Sequence, residues 1–178
     1  MRHVFPCGTR ALDFVGTLQA RRGPVPLERL GSPGLLDAWF VQAGLLDEEP
    51  GCGAADLSAA LALREAVHAL VRARLEGRAL PAAAVVAVNR RAATVPVQAV
   101  LRSGGVDRHG TAAQALADLA RESVEIVAGE HAALLRECGH PDCTQIYLDR
   151  SRGRRRQWCS MLSCGNRVKA AAMRARRR

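Results

Sequence analysis

Four cysteines near the C-terminal end constrain this chain more than any other feature of its sequence. They form two pairs, Cys138 with Cys143 and Cys159 with Cys164, and fifteen residues separate the pairs. Each short loop can place two sulfurs on one ion, and the insert lets the second pair approach from the opposite side. Cysteine fills all four positions, which leaves no coordination position for water or substrate. The pattern therefore predicts a closed, structural Zn²⁺ site rather than a catalytic one.

The sequence around the second pair also resembles a known family, the CGNR-type zinc finger. The resemblance rests on Cys164-Gly165-Asn166-Arg167, which follows Trp158-Cys159-Ser160-Met161 and precedes Lys169. Such fingers usually follow a domain called ABATE, and proteins built in this way are described as stress-induced transcription regulators. The resemblance therefore implies an ABATE-like helical domain over residues 1–135 and a zinc finger over residues 136–178.

The N-terminal segment carries a second resemblance. Residues 12–17 read Leu-Asp-Phe-Val-Gly-Thr, which is similar to the ABATE opening motif Leu-Asp-Phe-Val-Asn-Thr. Gly16 stands at the Asn position, so a ligand or capping role of that amide would be missing from this chain. Asp13 and Thr17 lie four residues apart and form a candidate ligand pocket for a small-molecule effector. The alternative is a local cap or surface contact.

Hydrophobic periodicity predicts a mainly α body with one small β-hairpin, an α+β fold, followed by a treble-clef-like finger. Alanine is abundant and aromatic residues make up only 3% of the chain, which favours closely packed helices. Trp39 and Phe40 are expected to fill the core of the body. Alternating residues around Ser103-Gly104-Gly105 predict the hairpin. The predicted helices cover residues 9–20, 33–43, 56–76, 81–91 and 111–137.

Within the finger, the chain between the cysteine pairs predicts a second hairpin. Residues 144–149 alternate as a strand, residues 150–156 turn, and residues 157–159 return. A helix is then expected from Asn166 onward. Trp158 either packs on the small core and shields the metal or stacks on a nucleic-acid base.

The net charge of +9 belongs entirely to the finger. Residues 1–135 hold 14 basic and 14 acidic side chains, whereas residues 136–178 hold 12 basic and 3 acidic side chains. A neutral body with a basic end indicates a polyanionic partner, most simply DNA. The alternative is a solvated basic tail without a defined partner. The candidate nucleic-acid-binding residues are Arg152, Arg154, Arg155, Arg156, Arg167, Lys169 and Arg174, and Arg150, Arg176, Arg177 and Arg178 add to the same charge.

The first hypothesis for function is a DNA-binding transcription regulator whose N-terminal domain senses a signal or dimerises. A single finger offers a small footprint, so specific binding is expected to need a homodimer. The second hypothesis is a zinc-stabilised module that binds RNA or an acidic protein. The third is an enzyme with a site around Asp13 and Thr17, which the absence of a recognisable catalytic motif disfavours. No secretory signal or membrane span is visible, so we expect a cytoplasmic protein without a membrane partner.

Overall fold

The computed structural model describes residues 2–176, which form helices and short antiparallel strand pairs. The helices are α1 (Arg10–Val15), α2 (Pro33–Gln42), α3 (Ala54–Leu75), α4 (Ala82–Ala92), α5 (Ala112–Ala128) and α6 (Asn166–Arg176). The strands are β1 (Leu18–Gln19), β2 (Leu27–Glu28), β3 (Gln98–Arg102), β4 (Gly105–His109), β5 (Leu135–Glu137) and β6 (Ile146–Leu148). Strands pair with their neighbours in sequence, β1 with β2, β3 with β4 and β5 with β6. The predicted fold class, a mainly helical body followed by a cysteine-rich finger, is confirmed.

The core of the body forms around Trp39 on α2, as the sequence predicts. Its ring centroid lies 5.3 Å from that of Phe14 on α1 and 6.0 Å from that of Phe40. Val67 on α3 and Leu119 on α5 are fully buried in the same hydrophobic cluster. Large rings that pack edge-on or tilted against one another supply much of the buried apolar area in a chain with so few aromatics.

Helix termini follow the capping residues in the sequence. The hydroxyl of Thr9 accepts a hydrogen bond from the amide of Leu12, and Ser32 caps α2 in the same way. Thr111 and Gln114 form a capping box at the start of α5. The predicted hairpin is also present, because β3 pairs with β4 across Ser103-Gly104.

Two predicted helices are shorter than expected. The helix over residues 9–20 ends at Val15, because Leu18 pairs with Glu28 in the two-stranded β1–β2 sheet. The helix that begins at Thr111 ends at Ala128, where Gly129 takes an extended conformation. A 3₁₀ turn and β5 follow, so a strand and not a helix leads the chain into Cys138. In both cases the segment that was expected to continue the helix pairs as a β-strand instead, and hydrophobic periodicity does not reveal such a pairing.

The hydrophobic core continues from the body into the finger. Ile146, Tyr147 and Leu148 on β6 are almost completely buried in the same cluster as Leu12 and Phe14. The amide of Leu148 also donates to the carbonyl of Cys7 at 3.0 Å. The predicted boundary between residues 135 and 136 falls inside β5. The finger is therefore docked on the body through the buried strand β6.

None of the helices formed by residues 2–176 is long and apolar enough to cross a membrane.

Candidate metal centre and basic surface

The first cysteine pair lies on the turn that connects β5 to β6. These strands pair with Arg136 opposite Tyr147, and the amide of Cys138 donates to the carbonyl of Gln145 at 2.9 Å. The amide of Cys143 donates to the carbonyl of His140, which closes the turn. The predicted hairpin between residues 144–149 and 157–159 is wrong in its partner, because β6 pairs with the strand before Cys138. The finger instead receives its first two ligands from a turn that the body's core anchors.

The second pair lies where the chain enters α6. Ser160 caps a π-helical turn (Met161–Gly165) with its side chain, and this turn carries Cys164 directly into α6. The amide of Cys159 points at the sulfur of Cys138 at 3.4 Å. Backbone N–H groups directed at sulfur stabilise the negative charge of a thiolate. The predicted helix after the last cysteine is present as α6.

The four thiols form a cluster that fits one zinc ion. The Sγ atoms of Cys138, Cys143, Cys159 and Cys164 all lie within 4.8 Å of one another. Cys143 and Cys159 are 3.8 Å apart between sulfurs, and Cys159 and Cys164 are 3.7 Å apart. Tetrahedral Zn–S bonds of about 2.3 Å would separate neighbouring sulfurs by about 3.8 Å. The geometry therefore matches the ligand set that the spacing predicts.

The electrostatics of the cluster show why it needs a cation. A hydrogen bond from the Cys159 thiol lowers the pKa of Cys143 to about 5. The same hydrogen bond, together with burial, raises the pKa of Cys159, and burial beside Cys143 raises that of Cys164 to about 11. Without a metal, one thiolate therefore opposes the ionisation of its neighbours. A zinc ion would remove this opposition, and its binding would release protons. Among residues 2–176 all six cysteines are free of disulfides.

Trp158 packs between the two cysteine turns. A Cβ atom on Gly139 would lie 3.4 Å from Cζ3 of its indole, and one on Gly165 would lie 3.3 Å from Cδ1. A Cβ on Gly165 would also lie 2.7 Å from the sulfur of Met161. The two glycines therefore let the indole and Met161 approach the metal centre closely. This arrangement gives Trp158 the packing role that was one of its two predicted roles.

Asp149 organises the arginine-rich loop, and sequence reasoning missed it. Its fully buried carboxylate accepts hydrogen bonds from the amide and hydroxyl of Ser151 and from the amide of Arg156. Burial raises the pKa of Asp149, but these hydrogen bonds outweigh it and lower the pKa below its ordinary value. Asp followed two residues later by Ser is a turn signal that could have indicated this role.

Arg156 does not belong to the exposed surface, contrary to its prediction as a nucleic-acid-binding residue. Its guanidinium donates to the carbonyls of Pro6 at 2.7 Å and Trp158 at 2.8 Å, and also to that of Cys159. The same group lies 4.4 Å from the centroid of the Tyr147 ring. The Nε and Nη2 donors of Arg156 are therefore used within the protein, where they tie the loop to the N-terminal segment.

The remaining predicted basic residues are exposed. Within residues 2–176, their side chains form no ion pair with an aspartate or glutamate, and α6 buries no residue at all. Gly153 and Arg154, in the loop that carries four of these residues, adopt positive φ angles of 83° and 51°. Arg177 and Arg178 lie outside the described residues. The exposed basic set is Arg150, Arg152, Arg154, Arg155, Arg167, Lys169, Arg174 and Arg176.

Asp13 and Thr17 line one cavity, but its volume of about 20 Å³ suits about one water molecule. Both side chains already have partners. Asp13 accepts from the amide of Cys7 at 2.8 Å, and Thr17 donates to the carbonyl of Phe14 at 2.6 Å. Burial raises the pKa of Asp13 to about 7. A cavity of this size does not hold an organic effector.

Gly16 makes room for the side chain of Gln145. The Nε2 atom of Gln145 donates to the carbonyl of Gly16 at 2.8 Å, and a Cβ atom on residue 16 would lie 2.1 Å from Oε1. The thiol of Cys7 donates to the same Oε1. An amide from the finger therefore lies beside the position where the ABATE opening motif has Asn.

Comparison with known families agrees with this geometry. Residues 8–130 match ABATE, which is described as "Putative stress-induced transcription regulator". The chain belongs to the ABATE family. Residues 135–177 match the CGNR zinc finger, and this match together with the thiol cluster identifies zinc as the cofactor. No curated protein matches the chain.

Proposed function

We propose that this ABATE-family protein is a DNA-binding transcription regulator whose zinc centre orders a basic surface. The observation that carries the proposal is the exposed basic set, which forms no ion pair within residues 2–176 and lies on the segments directly before Cys159 and after Cys164. Zinc, when bound, would serve as a structural crosslink and not as a Lewis acid. We accordingly propose that the protein is not an enzyme.

Each part of the finger supports this function in a different way. The loop after β6 presents Arg152, Arg154 and Arg155 on a turn that Asp149 holds in place. The helix α6 presents Arg167 and Lys169 near its start and Arg174 in its last turn. Arginine suits bidentate contacts to phosphate or guanine. We assign phosphate contacts to the loop and groove contacts to the start of α6.

Salt dependence provides a quantitative test. If about six of these side chains neutralise phosphates, log affinity should fall with log salt at a slope of about −5. Fluorescence anisotropy of a labelled duplex measures this slope for the intact, zinc-loaded protein. Arg154→Gln should reduce its magnitude by about 1. Arg90→Gln is the matched control, because Arg90 is an exposed arginine on α4, far along the chain from the finger. A slope near zero, or equal effects of the two substitutions, would contradict the proposal.

RNA is the second candidate partner, because an exposed arginine loop also suits single-stranded or folded RNA. Competition between duplex DNA and RNA of equal length distinguishes the two, and stronger retention of RNA would favour the second candidate. We also propose a homodimer, since one finger contacts few base pairs. Sedimentation with and without DNA tests the dimer.

A further inference from the structure

A groove beside the arginine loop has the composition of a nucleotide site. Its volume is about 460 Å³, within the range of roughly 300–1,000 Å³ that is typical of small-ligand sites. We call it the Trp158 groove, and its lining residues are Ser151, Arg152, Arg155, Arg156, Gln157, Trp158 and Met161. It combines an aromatic side chain with two exposed cationic groups, Arg152 and Arg155.

Three residues that line the groove, Ser151, Arg156 and Trp158, are held by contacts within the protein. One part of the indole of Trp158 packs against Gly139 and Gly165 on the cysteine turns. The guanidinium of Arg156 donates to the carbonyl of Trp158, and Ser151 is held by Asp149. A preorganised aromatic surface loses little conformational entropy when a planar ring stacks on it.

The charge of the groove favours an anion beside the aromatic surface. Arg152 and Arg155 are exposed, and neither side chain forms an ion pair with another part of the chain between residues 2 and 176. Arg156 also lines the groove, but its Nε and Nη2 donors already bond to carbonyls within the protein. Bases that stack on aromatic side chains while arginines track the phosphates are the usual mode of single-strand recognition.

We propose that the Trp158 groove binds one unpaired nucleobase, stacked against the indole, with the adjoining phosphate held by Arg152 and Arg155. This assignment goes beyond the proposed function, because it adds contact with an unpaired base to the duplex contacts of the finger, and it rests on that function for a finger that binds nucleic acid. It also gives Trp158 both of its predicted roles, because one part of the ring packs on the metal centre while another part faces the groove.

The chain contains its own reporter for this contact. Its two tryptophans differ sharply in environment, because Trp39 is only 1% exposed in the core whereas Trp158 lines the groove. In zinc-loaded Trp39→Phe protein, all tryptophan emission arises from Trp158. If that variant does not fold, the wild type serves, with Trp39 as a constant background.

The experiment compares three ligands by fluorescence titration: an oligothymidylate of about ten nucleotides, an abasic oligomer of equal length, and a blunt duplex. The abasic oligomer keeps the phosphates and lacks only the bases. We expect the oligothymidylate to quench Trp158 and to bind at least about fivefold more tightly than the abasic oligomer. Trp158→Leu and Trp158→Phe lack the reporter, so their affinities are measured by the anisotropy of labelled oligomers. Trp158→Leu should remove this preference while the zinc content stays at the wild-type level, and Trp158→Phe should retain most of it.

The outcomes separate this inference from the function on which it rests. Duplex binding together with equal affinity for the oligothymidylate and the abasic oligomer overturns the groove assignment and leaves the proposed function standing. Failure of all three ligands overturns both. A preference for the oligothymidylate that Trp158→Leu leaves unchanged places the base elsewhere and also overturns the assignment. Arg152→Gln should weaken binding of both single strands, whereas Arg90→Gln should weaken neither.

Discussion

The body and the finger treat their charged side chains in opposite ways. Within residues 2–176, every ion pair found joins two residues in the range 21–137. Examples are Arg64 with Glu28 and Arg72 with Glu137. The basic residues from Arg150 onward have no such partner within the described chain. Many charged side chains of the body are paired within the protein, whereas the basic residues of the finger from Arg150 onward remain available to an external polyanion. Self-repulsion among the finger's arginines opposes its folding, and the metal centre offsets that repulsion.

Removing one zinc ligand should have the largest effect on this contrast. In Cys164→Ser, a hydroxyl replaces a thiolate, and zinc binding worth on the order of 10 kcal/mol in comparable small fingers is largely lost. We expect α6 and the preceding π-helical turn to unfold and the melting temperature of the whole chain to fall. Circular dichroism and metal analysis measure both effects.

Cys52→Ser is the matched control, because Cys52 lies in the body, apart from the thiol cluster. Wild-type zinc content in Cys164→Ser would show that Cys164 is not a required ligand, and a wild-type melting temperature after loss of zinc would show that the finger does not depend on the metal.

Asp149→Ala tests the non-metal support of the finger. This change leaves the amides of Ser151 and Arg156 without their buried acceptor, and we expect a loss of about 3 kcal/mol in the free energy of unfolding. Affinity for DNA should fall as well, because the arginine loop loses its fixed shape. Urea denaturation gives the first quantity and anisotropy the second. Asp142→Ala, at an exposed carboxylate of the same finger, should change stability by less than about 0.5 kcal/mol.

Asp13→Asn tests the buried charge of the body. Burial raises the pKa of Asp13 from 3.8 to about 7, so the folded state keeps a proton that the unfolded state loses between pH 4 and pH 7. Stability due to this group is therefore complete below about pH 4 and is lost as the pH rises to 7. Asn carries no charge, and we expect the variant to be about 2 kcal/mol more stable than wild type at pH 8.

Unfolding free energies measured from pH 4 to pH 8 decide this prediction. The difference between variant and wild type should grow as the pH rises. A constant difference over that range would mean that Asp13 stays ionised in the folded protein.

Arg154→Gln should have the smallest effect on stability and a specific effect on binding. The residue has a positive φ angle of 51° and an exposed side chain, so we expect a stability change below about 0.5 kcal/mol. A loss of stability comparable to that of Asp149→Ala would erase the distinction between structural and exposed residues in the loop.

Local chemistry explains which features could be predicted from the sequence. The cysteine spacing indicates the metal site because coordination needs only four sulfurs at short separations. Thr9, Ser32 and Thr111 indicate helix starts because a cap depends on residues within one turn. These features depend on neighbours in the sequence, and the structure contains each of them.

Features that depend on distant partners could not be predicted in the same way. Arg155 and Arg156 are adjacent and chemically identical, yet only Arg156 contacts Pro6, 150 residues away. The strand β5 has three residues and follows a long helical pattern, so its pairing with β6 leaves no periodic signal. The role of Gln145 beside Gly16 likewise appears only when the finger docks on the body.

Native mass spectrometry of the intact protein is the decisive test of the structural zinc site, because it counts metal ions on folded chains. We expect one zinc ion on each folded chain, with loss of that ion accompanied by the broad, high charge states of an unfolded finger. A folded, metal-free chain with the same compact charge states as the zinc-bound form would contradict it.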